Sequence, residues 1–292
     1  ERKFEKAIVS LEKAIALKNN YAEAYYNLGN VYNLLGELEK SINMFTRAID
    51  IKSDYFDAYN NLGAVYNLKK DYDKAYQNIQ KAISLNPNNA DAFNNLGTSA
   101  LNLNKEDEAI AHYNKAISID PKLIIAYSNL CGLFEKSNNL KEFENILEKT
   151  KELKLDQFGE IKFHEAQLFS RKKDFDRSIS LLKSIDDNKI SEKTKKDKYG
   201  LLGKDFDKVQ NYKEAFKCFQ KTNEFVKVSL EYKQFNPKIY QEEISELIKS
   251  YSKTKKISWE SYNQKLSFQP VFLVGFPRSG TTLLDTILSS HS

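Results

Sequence analysis

Residues 22–54 read AEAYYNLGNVYNLLGELEKSINMFTRAIDIKSD, and the chain writes the same sentence twice more. It recurs as FDAYNNLGAVYNLKKDYDKAYQNIQKAISLNPNN over 56–89 and as ADAFNNLGTSALNLNKEDEAIAHYNKAISIDPKL over 90–123. The period is 34 residues: Leu28, Leu62, Leu96 and Leu130 return at that interval, as do the small residues Gly29, Gly63, Gly97 and Cys131. Two further small columns run Ala7, Ser41, Ala75, Ala109 and Ala14, Ala48, Ala82, Ala116, and Pro87 and Pro121 close two of the units. A fixed period of this size marks a solenoid of stacked supersecondary units.

Each unit holds two stretches with apolar residues at i, i+3, i+4 and i+7, the spacing of amphipathic helices. Short turns (LGE, KKD, NKE) separate them. Small residues stand where two helices must approach closely, and large ones fill the space beside them. One helix pair cannot bury its apolar face alone, so neighbours must stack. The pattern resembles the tetratricopeptide repeat. That resemblance implies an all-α fold: a right-handed superhelix of helix pairs.

The register continues with decay. Residues 1–21 read as the second helix of a unit. Residues 124–157 keep Tyr127 and Leu130 but put Phe143 and Thr150 where small residues stood. Further units run near 158–186 and 196–230, with the interval stretching to 35 and then 37. Between them DDNKISEKTKKDK reads as a charged, solvated insertion. Residues 237–252 read as one more helix opened by Pro237. The repeat domain is therefore expected over 1–252 and a connector over 253–269, whose Trp259, Tyr262 and Phe268 would pack on the segment beyond it. Glu1 and the motif at the far end make the sequence read as cut at both ends.

Composition narrows the partners. The net charge of +5 on 292 residues is mild and argues against a nucleic-acid partner. No apolar run approaches the ~20 residues that span a membrane. Cys131 and Cys218 lack metal spacing and suit buried packing in a reducing compartment, so the expected location is cytoplasmic. His112 reads as solvated or half-buried on a second helix, and His164 has no partners at metal-ligand spacing. Only five residues are Arg, and Arg278 is the one beyond Arg177.

Asn27, Asn61, Asn95 and Asn129 form a column of their own, one residue before the recurring Leu. Asn offers a carbonyl and an amide, which suits the backbone of an extended peptide. The row is similar to the asparagine ladder of the O-linked N-acetylglucosamine transferase repeats, and the resemblance implies that these four residues grip a protein or peptide on the concave face. The other reading of the row is a set of solvated surface residues.

The last 24 residues, QPVFLVGFPRSGTTLLDTILSSHS from Gln269, are unlike the rest. Val271 to Val274 read as a buried strand, FPRSG as a turn, and TTLLDTILSSHS as a helix start with Leu283, Leu284, Ile287 and Leu288 on one face. Strand, glycine loop and helix form the setting in which a helix N-terminus receives phosphate. Gly275 and Gly280 have P-loop spacing, but Thr281 stands in place of the P-loop Lys, which disfavours nucleoside triphosphates. PRSGTT, 277–282, instead resembles the phosphosulfate loop of sulfotransferases, most like the tyrosylprotein branch and bacterial members that carry tetratricopeptide repeats. That resemblance implies 3′-phosphoadenosine 5′-phosphosulfate as co-substrate, without a metal. It makes Arg278 catalytic and places Arg278, Ser279, Gly280, Thr281 and Thr282 on the donor. Residues 270–292 would then be the first strand, loop and helix of an α/β, P-loop-like sulfotransferase domain, too short to act alone. The competing reading is a tetratricopeptide scaffold without chemistry.

Overall fold

The computed structural model describes residues 2–228, which form thirteen α-helices and one short 3-10 turn, with no strand among them. The expected helix over 237–252, the connector over 253–269 and the closing strand–loop–helix lie outside the described residues. Helix α1 (Arg2–Leu17) is followed by six antiparallel pairs. These are α2 (Ala22–Leu34) with α3 (Leu38–Ile51), α4 (Phe56–Leu68) with α5 (Tyr72–Leu85), and α6 (Ala90–Asn102) with α7 (Glu106–Ile119). They continue as α8 (Ile124–Lys136) with α9 (Leu140–Glu152), α10 (Gly159–Arg171) with α11 (Phe175–Lys183), and α12 (Glu192–Lys208) with α13 (Tyr212–Val228).

The turn inside every pair is the same object. Gly36, Lys70, Asn104, Asn138, Lys173 and Gln210 occupy one repeat column, and all have positive φ, between 55° and 74°. The N–H of the next residue reaches back across the turn to the same helix position in each case: Glu37 to Tyr32 O (2.9 Å), Asp71 to Tyr66 O (3.0 Å), Asn211 to Phe206 O (2.8 Å). This is the Schellman closure, which satisfies carbonyls at the helix end. Only the first unit uses Gly there; the others place a side chain in the left-handed region, which costs roughly 1–2 kcal/mol each. Several second helices then open on a side-chain cap, such as Asp71 accepting from Lys74 N and Asp174 from Arg177 N.

Packing inside a pair rests on size complementarity. Gly29, Gly63, Gly97 and Gly203 face Phe45, Ile79, Tyr113 and Phe219, each 16 residues further on. A Cβ on Gly97 would stand 2.7 Å from Tyr113 Cε1. Where the column becomes Cys131 or Ala166, the residue 16 further on is Leu147 or Leu182, and each such pair shares a buried cluster. In the first pair Ser41 ties the helices further, donating its Oγ–H to Gly29 O at 2.8 Å.

The unit with the weakest repeat pattern is not loosely packed. Phe143 and Thr150 replace small residues, yet both are fully buried, and Phe143 belongs to the largest apolar cluster, which runs from Ala100 to Leu168. The expected solvated insertion is corrected. Residues 187–189 form the 3-10 turn, Ile190 is buried, and α12 opens at Glu192. Lys198 is only 4% exposed; its Nζ donates to Ile185 O (2.8 Å) and pairs with Asp187 (2.6 Å), to which Tyr199 also donates. A charge run is solvated only if every member can reach water, and one turn of helix put Lys198 inward.

First helices of successive units pack on one another as well as on their own partners: α2 on α4, α4 on α6, α6 on α8, α8 on α10 and α10 on α12. Glycines on these helices separate two cases. Gly97→Ala should lower the thermal midpoint, costing about 1–3 kcal/mol by overpacking against Tyr113. Gly132→Ala, whose Cβ would meet nothing within 4 Å, should raise it, by up to ~1 kcal/mol from helix entropy.

Candidate functional site

The two sets of sequence-predicted site residues have different standing. Arg278, Ser279, Gly280, Thr281 and Thr282 lie outside the described residues. Asn27, Asn61, Asn95 and Asn129 lie on α2, α4, α6 and α8, each in the middle of a first helix.

Three of these four asparagines donate amide hydrogens inside the array, Asn61 both of them and Asn95 and Asn129 one each. Asn61 Nδ2 donates to Asn30 Oδ1 (2.8 Å) and Tyr26 Oη (3.1 Å). Asn95 Nδ2 donates to Asn60 Oδ1 (3.1 Å), and Asn129 Nδ2 to Asn94 Oδ1 (2.9 Å). Each bond joins one first helix to the first helix before it. Asn27 is exposed and has no earlier first helix to reach among the described residues. The bonds leave the Oδ1 oxygens of Asn61, Asn95 and Asn129, and one amide hydrogen each of Asn95 and Asn129, as the groups these side chains could offer to a ligand.

The ladder has a further rung that the sequence reading missed. His164 occupies the asparagine column once the 35-residue interval is allowed, and its Nε2 lies 2.8 Å from Ser128 Oγ, in the column of Asn60 and Asn94. Its Nδ1 lies 2.7 Å from Gln167 Oε1. An amide oxygen only accepts, so Nδ1 carries the hydrogen and Nε2 accepts from the Ser128 hydroxyl. The ring is 7% exposed, edge-on to Phe143 and Phe163. Burial pulls its pKa down to about 4; the nearby Lys193 adds to this, while Gln167 and Glu135 oppose it. The signal available in the sequence was register: Ala166 continues the small column, and counting back two positions lands on His164.

A second set of polar contacts also crosses between units. Ser99 Oγ donates to Asn67 Oδ1 (3.0 Å). One repeat earlier, Val65 stands in the place of Ser99, and Asn33 Oδ1 is buried without a partner among the described residues. Near the far end Asp205, 1% exposed, accepts from Ser170 and Ser178, both at 2.6 Å. Burial raises its pKa, and the two hydroxyls oppose the shift. Among the described residues no group of three or more His, Cys, Asp or Glu side chains could hold a metal, and Cys131 and Cys218 are free and buried.

Comparison with known proteins agrees with this architecture. Models of the TPR repeat match residues 3–36 and 29–70, and a tetratricopeptide repeat model matches 56–89 and 90–123. Residues 3–123 are tetratricopeptide repeats. A solved structure of Pseudomonas aeruginosa pilF is similar over 62% of this chain and 82% of its own, with a TM-score of 0.53 and 21% identity, a likeness of fold. A crystal structure of MamA covers 51% of this chain and 90% of its own, with a TM-score of 0.47 and 29% identity. An uncharacterized protein of Aquifex aeolicus is 32% identical over 100 residues, which is 32% of this chain and 12% of that protein's length. The chain thus matches only about an eighth of that relative's length. A sulfotransferase family model matches residues 270–292. Among the described residues, no helix is long and apolar enough to cross a membrane.

The ladder's structural share is measurable. Asn95→Ala and Asn129→Ala should each cost about 1–3 kcal/mol, because the buried carbonyls of Asn60 and Asn94 lose their donors. Asn27→Ala should stay within about 0.5 kcal/mol; urea titration separates the two cases. His164 makes stability depend on pH. Its folded pKa is depressed, so the unfolded chain takes up the proton first as pH falls. The stabilisation is complete above about pH 6.5 and is lost toward pH 4, with a slope approaching 1.4 kcal/mol per unit. His164→Gln should flatten that limb of the stability profile.

Proposed function

We propose that this chain belongs to a sulfotransferase in which the repeats hold a protein or peptide acceptor and the segment at 270–292 begins the donor site. The observation that carries the proposal is the coincidence, in one 23-residue stretch, of PRSGTT after an apolar run and the sulfotransferase family match. In this reading Gly280 lets the donor approach the backbone without a Cβ in the way. The amides of Ser279 to Thr282 point at the 5′-phosphate of 3′-phosphoadenosine 5′-phosphosulfate, with the helix dipole in support. The hydroxyls of Thr281 and Thr282 add donors. The S–O bond to the phosphate breaks as the acceptor oxygen attacks sulfur in line; the acceptor's proton goes to a general base, and charge collects on the departing phosphate. Arg278 follows that charge, and its loss would cost on the order of 10²–10³ in rate. The amides and the guanidinium supply the positive field without a metal. The preference of PRSGTT for a tyrosylprotein-type branch belongs to this same proposal, as does a cytoplasmic location.

The repeats supply the acceptor's platform. First helices touch one another along the array, and among the described residues no two second helices of successive units pack as extensively, which supports a stack that curves toward its first helices. In this reading the asparagine column lies on the concave side. With both amide hydrogens of Asn61 and one each of Asn95 and Asn129 used between units, the peptide-facing role falls mainly to their oxygens, which would accept from backbone N–H groups of an extended chain. The exposed Asn27 keeps both of its groups for a ligand.

Titrating adenosine 3′,5′-bisphosphate into the full-length protein tests the enzymatic half. Arg278→Ala should weaken binding at least tenfold, about 1.4 kcal/mol. Equal affinity for the native protein and the variant would leave only a peptide-binding array.

A further inference from the structure

The polar ladder stops one step before the end of the described array. The column Tyr26, Asn60, Asn94, Ser128 continues as Phe163 and Gly200, and the column Asn61, Asn95, Asn129, His164 continues as Leu201. Between α10 and α12 the hydrogen-bonded pair is therefore replaced by Phe163 and Leu201. A groove of about 310 Å³ opens at this step, with those two side chains in its wall.

The charges around the groove are unevenly matched. Lys193, Lys196, Gly200 and Lys204 succeed one another at helical spacing and so share one face of α12. Lys196 and Lys204 line the groove and make no ion pair or hydrogen bond among the described residues. On the opposite wall Arg171 is held by Glu135 at 2.5 Å, which neutralises that pair. Asp197 is the one carboxylate of the lining without a basic partner among the described residues. Gly200 lies in the interior of α12, where glycine weakens a helix, yet a Cβ there would meet nothing within 4 Å. Internal packing does not require that glycine; it leaves an open stretch of backbone between two unpaired lysines.

We infer that this groove binds an extended acidic peptide, with an apolar side chain against Phe163 and Leu201 and carboxylates at Lys196 and Lys204. The inference rests on the peptide-binding reading of the repeats and gives it a chemistry. Eight residues of helix rise about 12 Å, close to the length of four extended residues at ~3.3 Å each. The ligand pattern is thus a carboxylate on either side of an apolar residue, about four positions apart. The site is distinct from the asparagine column, whose groups are polar and neutral.

Fluorescence anisotropy of the full-length protein with a labelled peptide, Gly-Glu-Asp-Glu-Phe-Glu-Asp-Glu-Gly, tests this. The acidic peptide should bind at least tenfold tighter than its Gln/Asn counterpart, and more weakly as salt rises. The double variant Lys196→Glu/Lys204→Glu should lose at least tenfold. Gly200→Leu should fill the groove and abolish binding while leaving the thermal midpoint equal or higher, since its Cβ is unobstructed. Equal binding of the acidic and amide peptides, or indifference to either variant, overturns the inference. If the amide peptide binds and the lysine variant is neutral, peptide capture by the repeats survives without this chemistry. If neither peptide binds at millimolar concentration, both readings fail.

Discussion

Every helix pair here depends on one close approach. A first helix offers a residue with little or no side chain, and the second helix sets a large one against it 16 positions later: Gly97 and Tyr113, Gly203 and Phe219, Ala166 and Leu182. Dispersion contacts fall off steeply with separation, so a gap of even half an ångström forfeits much of the attraction. The column of small residues therefore sets the interhelical distance, and with it the position of the turn. The left-handed residue that closes each pair is a consequence. Lys70, Lys173 and Gln210 accept a strained backbone because the helices on either side leave no other route.

Between units the array uses a different material. Apolar clusters hold short groups of neighbouring units together, while asparagine amides, hydroxyls and one imidazole join first helix to first helix. Each such bond is worth only about 1 kcal/mol net, yet an unmade one in a buried place costs more. Such bonds fix which unit sits beside which more than they add stability. Their satisfaction is not uniform: among the described residues Asn33 Oδ1 has no donor, since Val65 stands where a hydroxyl serves Asn67. His164 keeps its rung by remaining neutral in an apolar setting, which ties this step of the array to pH.

The same inventory bears on binding. A polar row that looks available from its spacing is partly consumed by the protein itself. The array becomes open to a ligand where its asparagine column lapses, at the step from α10 to α12, which Ser170 and Asp205 still bridge, and there the side chains change from amides to Phe163, Leu201 and lysines unpaired among the described residues. An ordered solenoid carries this risk and this opportunity together: a column that breaks its own rule loses a rung and gains a surface.

Much was legible in the sequence. The period of 34, the paired helices, the small columns and the continuation of the register through weakened units all derive from which residues must be buried, and burial leaves its mark at fixed spacing. Sequence alone also singled out the PRSGTT segment, since a glycine loop after an apolar run has few other uses. What the sequence could not decide was direction. Lys198 turned inward although its neighbours are charged, Phe143 entered the core where a small residue was expected, and Asn61, Asn95 and Asn129 aimed their amides at the preceding unit. Hydrogen bonds depend on where a side chain points, and the last few degrees of helix rotation, set by packing against the next unit, are not written in any one repeat.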